Sequence, residues 1–264
     1  MVAESPDTIT FLGTAGARFM VTRQLAASGG IWLNLGGTEI LLDPGPGCIV
    51  QSTRRKLRAD KLSAIVLSHR HLDHSNDVNV MVEAMTEGGV KKHGLFFAPP
   101  DALSSEPVLY SYLRGCLDGI ELLQGGKVYS VGGVAFATPV RHVHPVETYG
   151  FVFKTGRHTF SYIADTRYFD GLLSAYHGDL LIINVVLLED RPAVDHLTIA
   201  DVKRLVSEIK PKAAILTHFG MNVWRAHPWE VAEKMTQDTG IRVMAARDGM
   251  RFDLARLDEA GEAG

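Results

Sequence analysis

Apolar residues along this chain fall in many short runs, each bounded by Gly, Pro, Asp or a polar turn. The runs at 8–13, 31–35, 38–43, 63–68, 94–98, 126–131, 134–140, 150–154, 159–165, 179–186, 213–218, 241–246 and 250–254 are rich in Val, Ile and Phe. That length and composition predict strands. GGT (36–38), VGGV (131–134) and KTGRH (154–158) read as hairpin turns between them. Helical spacing is rarer. It predicts helices over 77–88, 105–117, 198–211 and 227–240. The third opens on Thr198 as N-cap, carries Ile199, Val202, Leu205, Val206 and Ile209 on one stripe, and stops before Pro211. The fourth has proline in its first turn and glycine at its end. Residues 13–30 read as a long glycine-punctuated loop, and Asn76 and Asp77 as caps of the helix that follows them. Strands come in two clusters, each trailed by helices, with no linker or repeat between them. Two face-to-face sheets with helices outside is the architecture this order predicts, as one domain over 1–264.

Composition narrows the function classes. Of 264 residues 46% are apolar, enough for a sizeable core, and the formal charge is −3. A general nucleic-acid or membrane-surface binder is usually basic. The one dense basic stretch, RRKLR (54–58), reads as a solvated helix face. Cys48 and Cys116 stand far apart, outside any zinc-ribbon or disulfide spacing. The N-terminal MVAESPDTITF lacks a basic region before an apolar one, and the longest apolar runs, such as 180–188, are too short for a bilayer. These features predict a cytoplasmic protein with no membrane partner.

The densest chemistry follows the run SAIVL. HRHLDH (69–74) places His69, His71, Asp73 and His74 where a strand ends. Histidines at i and i+2 project to one side of an extended segment, and the next pair sits about one helical turn on. Imidazoles with a carboxylate suit zinc, and also iron or manganese. Three of the chain's 11 histidines within six positions is a poor fit to a chance polar loop. Further ligand-type side chains stand at other strand ends: His142 and His144 just after 134–140, Asp165 at the end of 159–165, and His218 at the end of 213–218.

HRHLDH resembles the H-x-H-x-D-H motif of the metallo-β-lactamase superfamily. LLDPGPG (41–47), HPVETYGF (144–151), IADT (163–166) and LTHFG (216–220) resemble its other motifs, in family order. FLGTAGAR (11–18) is similar to its opening strand and turn. The resemblance is closest to ribonuclease Z-like and phosphonate-pathway phosphodiesterase-like members. It implies an α/β fold, a four-layer αββα sandwich, with two divalent metal ions, zinc foremost. It also implies the ligands: His69, His71 and His144 for one metal, Asp73, His74 and His218 for the other, and Asp165 bridging. Asp43 would order the ligand loops through hydrogen bonds. His142 would stand behind the ligands.

Two close metals lower the pKa of a shared water, and the resulting hydroxide attacks phosphorus or a carbonyl carbon. His196, in DHLT (195–198), resembles the histidine that assists phosphodiester cleavage in ribonuclease Z-like enzymes. With Asp73 it is an expected catalytic residue. Two departures matter. Ile183 and Asn184 stand where those enzymes carry a His-Glu pair, and 150–165 holds little more than a hairpin where they carry a tRNA-gripping arm. A small anionic phosphodiester is therefore the expected substrate, with no long nucleic acid. Lactone or ester hydrolysis and a non-catalytic metal-holding role stay open, and a homodimer is within the family's habit.

Overall fold

The computed structural model describes residues 6–259. MVAES at the N-terminus lies outside the described residues. The apolar runs form two seven-stranded sheets packed face to face. In chain order the first half supplies β1 (Thr8–Phe11), β2 (Ile31–Leu35), β3 (Thr38–Leu42), β4 (Leu62–Val66), β5 (Leu95–Ala98) and β6 (Gly119–Leu122). The second supplies β7 (Lys127–Val131), β8 (Val134–Thr138), β9 (Phe151–Lys154), β10 (Thr159–Ile163), β11 (Leu180–Asn184), β12 (Ala213–Thr217) and β13 (Arg242–Ala245). A last strand, β14 (Arg251–Asp253), returns to the first sheet. The orders are β14-β1-β2-β3-β4-β5-β6 and β13-β12-β11-β10-β9-β8-β7.

The helices are α1 (Ala17–Arg23), α2 (Cys48–Arg54), α3 (Leu72–Ser75), α4 (Val78–Met85), α5 (Ser111–Arg114), α6 (Gly171–Ala175), α7 (Ile199–Ile209), α8 (Met221–Arg225), α9 (Pro228–Thr239) and α10 (Arg256–Glu259). Three apolar layers hold the sandwich. Leu33, Val66, Phe97, Phe136, Phe151 and Phe160 fill the space between the sheets. Leu41, Ile65 and Phe96 of the first sheet pack under α4 through Val78, Met81 and Val82. Ile183, Leu216 and Val243 of the second pack under α7 and α9 through Leu205, Val206 and Met235. Helices thus cover the outer face of each sheet, as the αββα expectation requires. Each half begins as antiparallel hairpins and ends as parallel strands. Parallel strands covered on both faces read as unbroken apolar runs. β11 and β12 are buried at every position.

That topology decides where the ligands meet. Parallel β3 and β4 end at one edge of the first sheet, and parallel β10, β11 and β12 end at the matching edge of the second. β9 runs antiparallel to β10, with Phe151 opposite Tyr162, so the segment before β9 enters at that same edge. Carboxyl ends of parallel strands are where open α/β sheets bind ligands.

Local expectations fared unevenly. α7 begins at Thr198 with a full capping box, its hydroxyl accepting from Asp201 N–H while the Asp201 carboxylate accepts from Thr198 N–H. α9 ends on Gly240 in the left-handed region. The helix expected over 105–117 shrinks to α5, because Pro107 supplies no N–H and biases Glu106 away from helix. The loop expected over 13–30 contains α1. Asp77 stands at the start of α4 without capping it. Its carboxylate accepts from Ile49 N–H, 3.2 Å away, in the first turn of α2. Asn76 donates to Asp77 rather than to the helix. In RRKLR only Arg54 is helical.

Candidate metal centre

β4 delivers Leu67, Ser68 and His69, then His71 in extended backbone just before α3 begins. Asp73 and His74 sit inside α3, one short turn on. Asp165 and His218 follow the ends of β10 and β12, and His144 comes from the segment before β9. The structure gathers these seven into two groups, within each of which the ligand atoms lie within 4.8 Å of one another. One is His69, His71 and His144; the other is Asp73, His74, Asp165 and His218. All seven residues expected from the sequence are among them.

In the first group His71 Nδ1 lies 3.0 Å from His69 Nε2 and 3.1 Å from His144 Nε2. His144 Nδ1 faces the backbone carbonyl of Asp195 at 3.0 Å, so an Nδ1–H donates to that carbonyl and Nε2 keeps its lone pair. Nitrogens at ~2.0–2.1 Å from one tetrahedral zinc stand about 3.3 Å apart, close to the spacing seen. In the second group His74 Nε2 and His218 Nδ1 each lie 3.4 Å from Asp165, on its two different oxygens. His218 Nε2 lies 3.4 Å from Asp73. Asp165 also reaches toward His69 Nε2 at 3.9 Å, so it stands between the groups.

Burial and charge set the protonation. Burial pushes His69 well below the ordinary imidazole value, with His74 adding to the effect and Asp165 opposing it. Burial, then His144, brings His71 down to about 4. His74 goes the other way: burial opposes its charge, but Asp165, Asp73 and Asp43 outweigh burial and hold it protonated. Asp165 is likewise buried against its charge, yet His218, His196 and His74 keep it well below the usual carboxylate range.

These residues fit divalent metal. Buried His74 Nε2 and both ring nitrogens of His218 have no hydrogen-bond partner among the described residues, although each is aimed at carboxylates. Buried polar nitrogens without partners are costly, and a cation that displaces the His74 proton and takes the one lone pair of His218 reduces the cost. Five imidazoles and two carboxylates are a borderline-hard donor set that suits zinc, manganese or iron.

Supporting residues fix the ligands. Asp43 accepts from Ser68 N–H (2.6 Å), Ser68 Oγ (2.7 Å), His74 Nδ1 (2.9 Å) and Tyr162 Oη (3.0 Å). This is the ordering role expected for it. His142 is buried behind the site, between the Asp165 carbonyl (3.1 Å) and Tyr176 Oη (2.5 Å). Asn184 donates to Asp165 Oδ1 at 2.9 Å and to Tyr162 Oη at 3.1 Å. His218 has a left-handed backbone, φ 56°, and packs on Gly16, where a Cβ would fall 2.2 Å from its carbonyl oxygen.

His196 stands at the mouth with 14% side-chain exposure, its Nδ1 3.6 Å from Asp165 Oδ2. Its ring is 5.2 Å from His144 and 6.5 Å from His218. No sequence signal points to what holds it there. Arg167 pairs with Asp195 at 2.9 Å, donates to the carbonyls of Pro192 and Val194, and pins the loop that carries His196. Tyr162, Ser68 and the Asp195 carbonyl were also missed. A tyrosine inside an apolar strand looks like core, and a carbonyl has no sequence signal.

The model of the beta-lactamase superfamily domain matches residues 38–219. An uncharacterized protein of Methanocaldococcus jannaschii is 30% identical over 254 residues, covering 93% of this chain and 94% of that one. The probable metallo-hydrolase YhfI of Bacillus subtilis is 28% identical over 198 residues, covering 73% of this chain and 80% of that one. Its crystal structure superposes with a TM-score of 0.80 at 22% identity over 94% of this chain and 100% of that one. A diphosphatase of the PhnP family superposes with a TM-score of 0.71 at 19% identity, covering 95% and 98%. No helix among the described residues is long and apolar enough to cross a membrane. With its motifs, its αββα sheets and its gathered His and Asp side chains all in agreement, the chain belongs to the beta-lactamase superfamily.

Proposed function

We propose that this protein is a metal-dependent hydrolase that cleaves a small phosphodiester, with His196 acting on the leaving group. The observation that carries the reading is the position of His196, on Asp165 and at the mouth between the two ligand groups. Bound divalent ions supply such a site with an acidified water as nucleophile and with positive charge for the developing oxyanion. The chain's own residues do the rest. His69, His71 and His144 would hold one ion, Asp73, His74 and His218 the other, and Asp165 would reach both. His196 turns Nδ1 toward Asp165, which leaves Nε2 for the substrate's leaving oxygen. Burial keeps this imidazole below its ordinary value while Asp165 pulls against burial. A phosphodiester anion arriving beside it raises its hold on a proton, which a general acid needs. Asp73, between His218 and His74, is a ligand first and joins the chemistry through the ion it holds.

The hydrolytic class is supported by the probable metallo-hydrolase among the relatives. A small substrate is supported by the net charge of −3 and by the plain β9–β10 hairpin, which offers no arm for a long nucleic acid. One observation favours a second reading, lactone or ester hydrolysis. Leu72 and Val143, which neighbour ligands in sequence, are 73% and 43% exposed. Exposed apolar side chains next to ligands in the chain suit a substrate with a hydrocarbon portion.

Hydrolysis of bis(p-nitrophenyl) phosphate, by protein whose metal content is measured, tests the proposal. Turnover is expected, and His196→Ala should lower kcat about 10²- to 10⁴-fold with metal content unchanged. Turnover of lactones but not of the phosphodiester would replace this reading with the second. Metal-loaded protein inert toward both would overturn both in favour of a non-catalytic metal-holding role.

A further inference from the structure

A cavity of about 360 Å³ lies on the far side of the wall that carries His218. The wall is two short segments, 13–16 and 217–219, joined where Phe219 N–H donates to the Thr14 carbonyl and Gly16 N–H to the Phe219 carbonyl. The side chains of these segments divide between the two faces of the wall. Gly13, Ala15 and His218 face the metal ligands, whereas Thr14 and Phe219 face the cavity. The two spaces are therefore separate, with one wall between them.

Trp224, Pro228 and Trp229 complete the apolar lining, and Arg247 stands at it. Trp229 keeps 45% of its surface exposed, an unusual cost for the largest apolar side chain. Asp248 also borders the space, but its carboxylate is committed: it accepts from Thr14 N–H (3.0 Å), Thr14 Oγ1 (2.8 Å) and Ala27 N–H (2.7 Å). The Arg247 guanidinium makes no hydrogen bond or ion pair among the described residues. Of these lining residues only Phe219 falls inside the segment that matches the superfamily, 38–219.

We propose that this cavity is a second small-molecule site, for a flat aromatic ligand carrying one anionic group. Its volume lies within the ~300–1,000 Å³ of ligand pockets, which are mostly apolar with few polar groups to fix orientation. Indole faces take a planar ring, and a free guanidinium takes a carboxylate, sulfonate or phosphate through paired N–H donors. The ligand would rest against Phe219, the residue next to His218, and so against the back of the metal centre.

The test is a titration of the metal-loaded protein with 2-naphthalenesulfonate, read on the assigned indole N–H signals of its three tryptophans by NMR. Saturable one-to-one shifts of Trp224 and Trp229, with Trp32 unmoved, are expected. Arg247→Gln should weaken binding roughly tenfold, the scale of one lost charged hydrogen-bond contact. Uncharged 2-naphthylmethanol should bind wild type and variant alike, and stripping the metal should leave sulfonate binding in place. Absence of saturation would overturn the site. Equal sulfonate affinity in Arg247→Gln would overturn the anion assignment, and binding lost with the metal would place the probe at the metal centre instead.

Discussion

His69, His71 and His144 meet as three imidazoles with no carboxylate among them, whereas Asp73, His74, Asp165 and His218 bring two carboxylates to two imidazoles. The trio is also backed differently. His144 is held by the backbone carbonyl of Asp195, while His74 of the quartet is held by the carboxylate of Asp43. Burial leaves His69 and His71 neutral, so their lone pairs are free at neutral pH. In the quartet, carboxylates overcome burial and keep His74 protonated. A cation entering the trio finds ready lone pairs. A cation entering the quartet must displace a proton but gains two negative charges. The same imidazole chemistry becomes two different sites because of what stands around it.

Asp165 is a carboxylate that reaches toward both groups, so Asp165→Ala should abolish the contrast by harming each. Loss of several kcal/mol of charge stabilisation amounts to on the order of 10³-fold in rate, and metal analysis should show fewer bound ions. Retention of full metal content and rate would refute its central place. Asp43→Asn should sharpen the contrast. It removes the charge behind His74 and should weaken the quartet's ion about 10- to 100-fold while calorimetry finds the trio's ion little changed. An equal loss at both would mean that Asp43 acts through Ser68 on His69 instead.

Acidity should separate the two groups next. His74 is raised, so between pH 7 and pH 5 each metal taken up by the quartet releases a proton, and affinity should fall by about tenfold per pH unit as pH drops. His71, brought down to about 4, stays unprotonated through that window. On this ground the trio should hold its ion more firmly, and competition titrations at several pH values read both. Parallel pH slopes would contradict the protonation difference. The smallest effect is expected from Asn184→Ala, which removes one hydrogen bond to Asp165 Oδ1. About a tenfold loss at the quartet is the expected scale, and a loss confined to the trio would be inconsistent with the geometry.

Legibility followed how strongly local pattern and burial agree. β11 and β12 were readable as strands because helices cover one face and the other sheet covers the second, so every position is buried and all but the last, Asn184 and Thr217, are apolar. β6 was not: its residues GIEL are only partly buried at an edge of the sheet, where no alternation is enforced. α1 was hidden because its start at Gly16 has no capping side chain and only Met20 is buried. The metal ligands were readable because each is a ligand-type side chain at the end of an apolar run. The devices that hold His196 were not, because Arg167 meets Asp195 across 28 positions and two of its three side-chain bonds go to carbonyls.

Local sequence determined the strand-rich sandwich and the identity of the gathered side chains, since apolar runs and HRHLDH are properties of adjacent residues. Only the tertiary structure decided which ring nitrogen faces which neighbour, that Asp77 serves α2 rather than α4, and that Thr14 and Phe219 turn away from the metal ligands into a space of their own. Those outcomes depend on distances between segments far apart in the chain, and neither periodicity nor spacing carries such distances.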